Sequence, residues 1–65
     1  MVDINTVYIN RKYKTECLVK AIGINSTDYN KGELMVRYIP IPNEDNNEFY
    51  REIEEFDEKF KKKRY

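Results

Sequence analysis

The chain has no histidine and no tryptophan, one cysteine, two glycines and two prolines among its 65 residues. A single cysteine excludes a disulfide within the chain. Without histidine there is no Cys/His zinc site and no Ser-His or Cys-His dyad. Gly23 and Gly32 stand alone, so there is no glycine-rich phosphate loop. No apolar run approaches the roughly 20 residues that span a bilayer. Met1-Val2-Asp3-Ile4-Asn5 lacks the basic start and apolar stretch of a signal peptide. These absences point to a cytoplasmic, non-enzymatic protein with no membrane contact, no cofactor and no metal. The length allows one domain. A chain near 60 residues buries only about 60% of the surface it exposes when unfolded, so small domains often lean on a partner or a second copy.

What is present is charge, tyrosine and a change of period. The net charge is zero, from 12 basic and 12 acidic residues, but the signs are segregated. Residues 43–60 hold eight acidic and two basic side chains, and Lys61, Lys62, Lys63 and Arg64 follow directly. This is not the cationic excess of a general nucleic-acid binder. Lys, Asn, Ile and Tyr supply 28 of the 65 residues, a codon bias of low-GC bacteria and their phages.

Residues 2–9 alternate Val2, Ile4, Thr6 and Tyr8 against Asp3, Asn5, Val7 and Ile9, which predicts a strand. Residues 10–14 are polar and basic and read as a loop. Residues 15–25 are β-branched and apolar on both faces, the composition of a central strand. Residues 25–32 are dense in turn formers, with Gly32 able to close a hairpin. Residues 33–39 read as the return strand, with Leu34, Val36 and Tyr38 on one face and Met35, Arg37 and Ile39 on the other. Pro40 and Pro42 end it or make it an edge.

Phe49, Ile53, Phe56 and Phe60 then follow at spacings of 4, 3 and 4, which predicts a helix from about Glu44 to Lys62. An acidic start, a basic end and the pairs Glu55–Lys59, Asp57–Lys61 and Glu58–Lys62 agree with it. The expected architecture is α+β: a small three-stranded antiparallel sheet over residues 1–42, followed by a C-terminal amphipathic helix over 43–64, in one domain. The four-residue stripe is narrow. It either covers one face of the sheet or pairs with another copy, and the second option predicts a homodimer.

Catalytic groups are absent from the pattern. Cys17 sits in an apolar strand and reads as a small core residue. The acidic cluster Glu44-Asp45-Asn46-Asn47-Glu48 lacks the order of a calcium loop and reads as a solvated helix start. The suggestive constellation is basic and aromatic: Arg11, Lys12, Tyr13 and Lys14 in a loop, with Lys20, Arg37 and Tyr38 on the strands that follow. Arginine offers a planar fork for phosphate or carboxylate, and tyrosine a stacking face. Such a surface suits a nucleotide, a nucleic-acid end or an acidic protein patch. The alternative is a solvated loop whose Lys and Arg stems lie over apolar surface. Six tyrosines, at 8, 13, 29, 38, 50 and 65, are more than so small a core can hold, and tyrosine is enriched where proteins meet.

Arg11-Lys12-Tyr13-Lys14, Cys17-Leu18-Val19-Lys20-Ala21-Ile22-Gly23, Asn25-Ser26-Thr27, Leu34-Met35-Val36-Arg37-Tyr38 and the spacing of Phe49 to Phe56 together resemble a family of small SH3-like bacterial and phage proteins without an established activity. The likeness covers residues 11–56. The chain departs from the family pattern at Thr15, Asn25, Phe49, Glu52 and Glu55, and losing a proline at 52 permits a helix there. The resemblance implies an SH3-like sheet, of which the three strands would be a remnant, and lends no catalytic residues. The functional expectation is a small binding protein of a phage or mobile element that docks on a host defence or nucleic-acid enzyme and inhibits it. The alternative is sequestration of a nucleotide or other phosphorylated ligand by the basic-aromatic face.

Overall fold

A computed structural model describes residues 2–24 and 33–64. The predicted turn over 25–32, with Tyr29 and Gly32, and Tyr65 lie outside the described residues. Five strands and one short helix follow one another: β1 (Val7–Asn10), β2 (Glu16–Ile24), β3 (Leu34–Ile41), β4 (Phe49–Glu52), α1 (Ile53–Lys59) and β5 (Phe60–Lys62). The strands form one antiparallel sheet in the order β4-β3-β2-β1-β5. The expected three-stranded sheet with a long helix is therefore corrected to a five-stranded sheet with a single seven-residue helix.

The central part follows the sequence pattern. β2 lies between β1 and β3, and β3 turns Val36 and Tyr38 inward, with 0% and 6% exposure. Pro40 pairs with Cys17 of β2, but β4 reaches only as far as Tyr38. The proline thus lies where β3 has lost its second neighbour, as its missing N–H requires. The register of β2 shifts between Val19 and Ala21, and Lys20 is the extra residue of a bulge. Val19 faces Tyr38 on one side of it, and Ile22 faces Val36 on the other.

The first strand is shorter than its alternation predicts. Asn5 takes a left-handed φ of 59° and its N–H donates to Val19 O at 2.8 Å, so residues 3–5 turn instead of extending. Val2 still reaches the core, and the Asp3 N–H donates to the Tyr8 hydroxyl at 2.8 Å.

The acidic segment expected to begin the helix is a loop. The Asn43 side chain accepts from the Asn47 N–H at 2.9 Å and donates to Asn47 O at 3.1 Å, and Asn46 sits at φ 52°. Asparagine side chains that bond nearby backbone compete with helix in this way. Phe49 to Glu52 then pair with Tyr38 to Met35, and Phe60 to Lys62 pair with Asn10 to Tyr8. An isolated helix of this length is marginal in water, so ladder bonds and aromatic burial at both ends decide the outcome.

Tyr38 and Phe60 show how the sheet is shaped. β2 and β1 separate their strands, which in a flat sheet sets the backbones about 14 Å apart. Their ring centroids lie 5.4 Å apart, so the sheet curls on itself. Phe56 of α1 fills the concavity with no exposed surface, stacked on Phe60 at 4.3 Å and meeting Tyr8 edge-on at 5.3 Å. Ile53 packs against this cluster, and Phe49 lies 5.7 Å from Tyr38 while remaining 45% exposed. The residues read as a helical stripe thus come from a strand, a helix and a strand, and all face one core. The helical seam that motivated a homodimer does not exist.

Candidate binding surfaces

Asn10 builds the basic turn. Its side-chain oxygen accepts the N–H of Lys12 and of Tyr13, each at 2.9 Å, and its carbonyl accepts Lys14 N–H at 2.8 Å. Lys14 sits at φ 63°, and the Asn10 N–H closes on Thr15 O at 2.8 Å. Arg11, Lys12, Tyr13 and Lys14 are therefore presented by a fixed turn and are all exposed. Lys12 Nζ lies 5.3 Å from the Tyr13 ring centre, a cation–π contact.

The other members of the expected basic-aromatic face lie elsewhere. Lys20 occupies the bulge and is exposed. Arg37 points to the outer side of the sheet, bonded to Glu48 at 2.9 Å. Tyr38, one residue on, points inward, because neighbours in a strand face opposite ways. Its hydroxyl accepts from Arg51 Nε at 3.1 Å, which holds the Arg51 guanidinium above its ordinary pKa. Seven residues read as one surface are thus a turn, two outer-face cations and a core ring.

The fold makes a different basic cluster. Pairing of β1 with β5 sets Asn10 opposite Phe60 and Ile9 opposite Lys61, and the Arg11 N–H donates to Lys59 O at 2.8 Å. The tail expected to finish a helix instead runs back along the basic turn. A groove of about 770 Å³ results, lined by Arg11, Lys61, Arg64 and Asp57 over a floor of Tyr8 and Phe60. Lys62 and Lys63 line it too but have carboxylate partners. Lys62 bonds Asp3, which lowers the Asp3 carboxyl pKa and raises that of the ammonium, and Lys63 bonds Glu16 at 2.7 Å. The signal for this cluster was the charged tail itself, which only strand pairing could place.

A second surface is apolar. Register puts Val7, Leu18 and Ile39 in one outward row, Ile9, Glu16 and Ile41 in the next, and Ala21, Arg37 and Tyr50 in a third. Tyr50 is 62% and Ile41 41% exposed, while α1 lies on the opposite, inner side. A groove of about 540 Å³ crosses this face beside Ala21, Met35, Arg37 and Tyr50.

Burial pushes the Cys17 thiol up to about 11, so it stays protonated and inert at neutral pH. Among the described residues no His, Cys, Asp and Glu group has metal-ligand geometry, and no helix is long and apolar enough to cross a membrane.

The acidic residues crowd the β4 side. The charge of Glu33, and then a hydrogen bond to it, raise the Glu52 carboxyl above its ordinary 4.5. A raised carboxylate pKa means that the folded state holds the proton more tightly than the unfolded chain. Stability is therefore complete below 4.5 and falls as pH rises through the raised value. Glu52→Gln should raise the melting temperature at neutral pH, and the gain should shrink to nothing on acidification below 4.5. Melts across pH check this, and a gain independent of pH refutes it.

Searches of protein-family models, curated proteins and solved structures find no match to this chain.

Proposed function

We propose that the chain is a small non-enzymatic binding domain, carried by a phage or mobile element, that docks on a host protein in the cytoplasm and inhibits or redirects it. The carrying observation is the outer sheet face, where Val7, Leu18, Ile39, Ile41, Met35 and Tyr50 form an apolar surface that α1 does not cover. Ile41 and Tyr50 are exposed there and the other four are half-buried, and accessible apolar surface with a tyrosine is how interaction faces are made. The Arg37–Glu48 and Lys63–Glu16 ion pairs set charge among these apolar side chains. The strand order, with a seven-residue helix before the returning last strand, is also the arrangement expected of an SH3-like barrel, which supports the family resemblance.

The test compares affinity purification from a low-GC bacterial host with wild-type protein and with Ile41→Glu/Tyr50→Glu, two exposed changes that leave the core intact. The expected result is a host protein retained by the wild type, lost by the variant, and inhibited in stoichiometric assay. A partner bound equally by both, or bound without loss of activity, overturns the reading.

A further inference from the structure

We propose that the groove between the β1–β2 turn and β5 binds the backbone of a single-stranded nucleic acid. This is separate from the outer face, and either can fail without the other.

The chain's zero net charge conceals this site. Charges act over about 8 Å at physiological salt, so a ligand feels the local set and not the total. Five cations, Arg11, Lys61, Lys62, Lys63 and Arg64, line the groove against one carboxylate, Asp57. Lys62 and Lys63 are partly neutralised by Asp3 and Glu16, whereas no ion pair among the described residues engages Arg11, Lys61 or Arg64. Four of the cations are consecutive. At about 3.3 Å per residue they span only about 10 Å of extended chain, and alternation sends them to both sides of the strand. Among the described strands β5 pairs with β1 alone, so this doubly lined edge is open.

Lysine on an edge strand is a common guard against strand pairing. That guard does not account for Arg11, which sits on a turn fixed by Asn10, away from the strand, and lines the same groove. An anion matched to such density carries closely and regularly spaced charge, as a phosphodiester chain does. Tyr13, on the same turn and 68% exposed, offers a ring on which an unpaired base can stack. A duplex has no base face to give it, which favours the single strand.

Fluorescence anisotropy with a labelled mixed-sequence DNA 12-mer, the matching RNA and the duplex, over a salt series, tests the site. Wild-type protein should bind both single strands more tightly than the duplex, with a log–log salt slope of about −2 for three phosphate contacts. Arg11→Ser/Lys61→Ser removes two charges in the groove and should weaken binding about tenfold while reducing the slope by about 1.4. Lys20→Glu changes the net charge equally, on the bulge, and should bind as the wild type does. All substituted residues are exposed, and circular dichroism verifies folding. Absence of binding at low salt, equal weakening by Lys20→Glu, a tighter duplex, or stronger competition by polyglutamate than by unlabelled DNA each overturns the proposal. The polyglutamate outcome would assign the groove to an acidic protein.

Discussion

Phe56→Ala should leave the chain without a cooperative thermal transition. Phe56 has no exposed surface and meets Tyr8, Tyr38 and Phe60 at ring distances of 5.3, 5.2 and 4.3 Å. Its ring is the one contribution of α1 to the fully buried centre. Replacing a buried phenylalanine by alanine costs about 3–5 kcal/mol. A domain of this length has a total stability of about 3–10 kcal/mol. The loss consumes most or all of it, and the rings around the cavity belong to three different strands that cannot all close inward. Phe49→Ala is the matched control. Its ring is 45% exposed and pairs with one aromatic ring among the described residues, Tyr38, so the cost should stay near 1 kcal/mol or less. Urea melts followed by near-ultraviolet circular dichroism read both. A Phe56→Ala protein that melts as the wild type does would refute the aromatic core.

Deleting residues 60–65 should have an effect of similar size, and it separates two architectures. Were residues 44–62 one rod of helix, removing its last turn would fray an end and little more. In the five-stranded sheet the deletion takes away Phe60, 6% exposed, and one of the two strands paired with β1. It also removes the Lys63 N–H donation to Val7 O at 2.9 Å and the ion pairs to Asp3 and Glu16. β1 becomes an edge with unmet hydrogen-bond groups, and Phe56 loses its stacked neighbour. The expected result is an unfolded or aggregating chain. Lys61→Ser, an exposed change on the same strand, should fold normally. A truncated protein with a sharp melt close to the wild type's would reject the role of β5.

How much of this was legible depends on range. β2 and β3 were readable because their partners are each other and each runs eight or nine residues, β2 rich in β-branched and apolar side chains and β3 alternating. Phe49, Ile53, Phe56 and Phe60 misled because a 4-3-4 spacing satisfies a helix and also a strand, a short helix and a strand wrapped round one centre. Local charge favoured the helix. The long-range pairing of Phe60 with Asn10, fifty residues away in sequence, was invisible to any local window. The same pairing hid the basic groove, whose two halves look like an unrelated loop and tail. Arg37 and Tyr38 failed for a simpler reason: adjacent strand residues cannot share a face, so a surface that needs both was excluded by alternation from the start.

The unpaired Lys20 in β2 has a consequence for which changes the gene can tolerate. Upstream of it odd-numbered residues, Cys17 and Val19, turn to the interior, and downstream an even-numbered one, Ile22, does so. That lysine is the extra residue, and neither its identity nor its presence decides which way its neighbours face. Exchanging it for another residue leaves every neighbour where it was. Losing that one codon would close the bulge and leave Val19 and Ile22 facing inward with Ala21 outward between them. Along this strand, selection should therefore tolerate loss of a codon at the bulge better than loss of one outside it, which would reverse the facing of the residues up to the bulge.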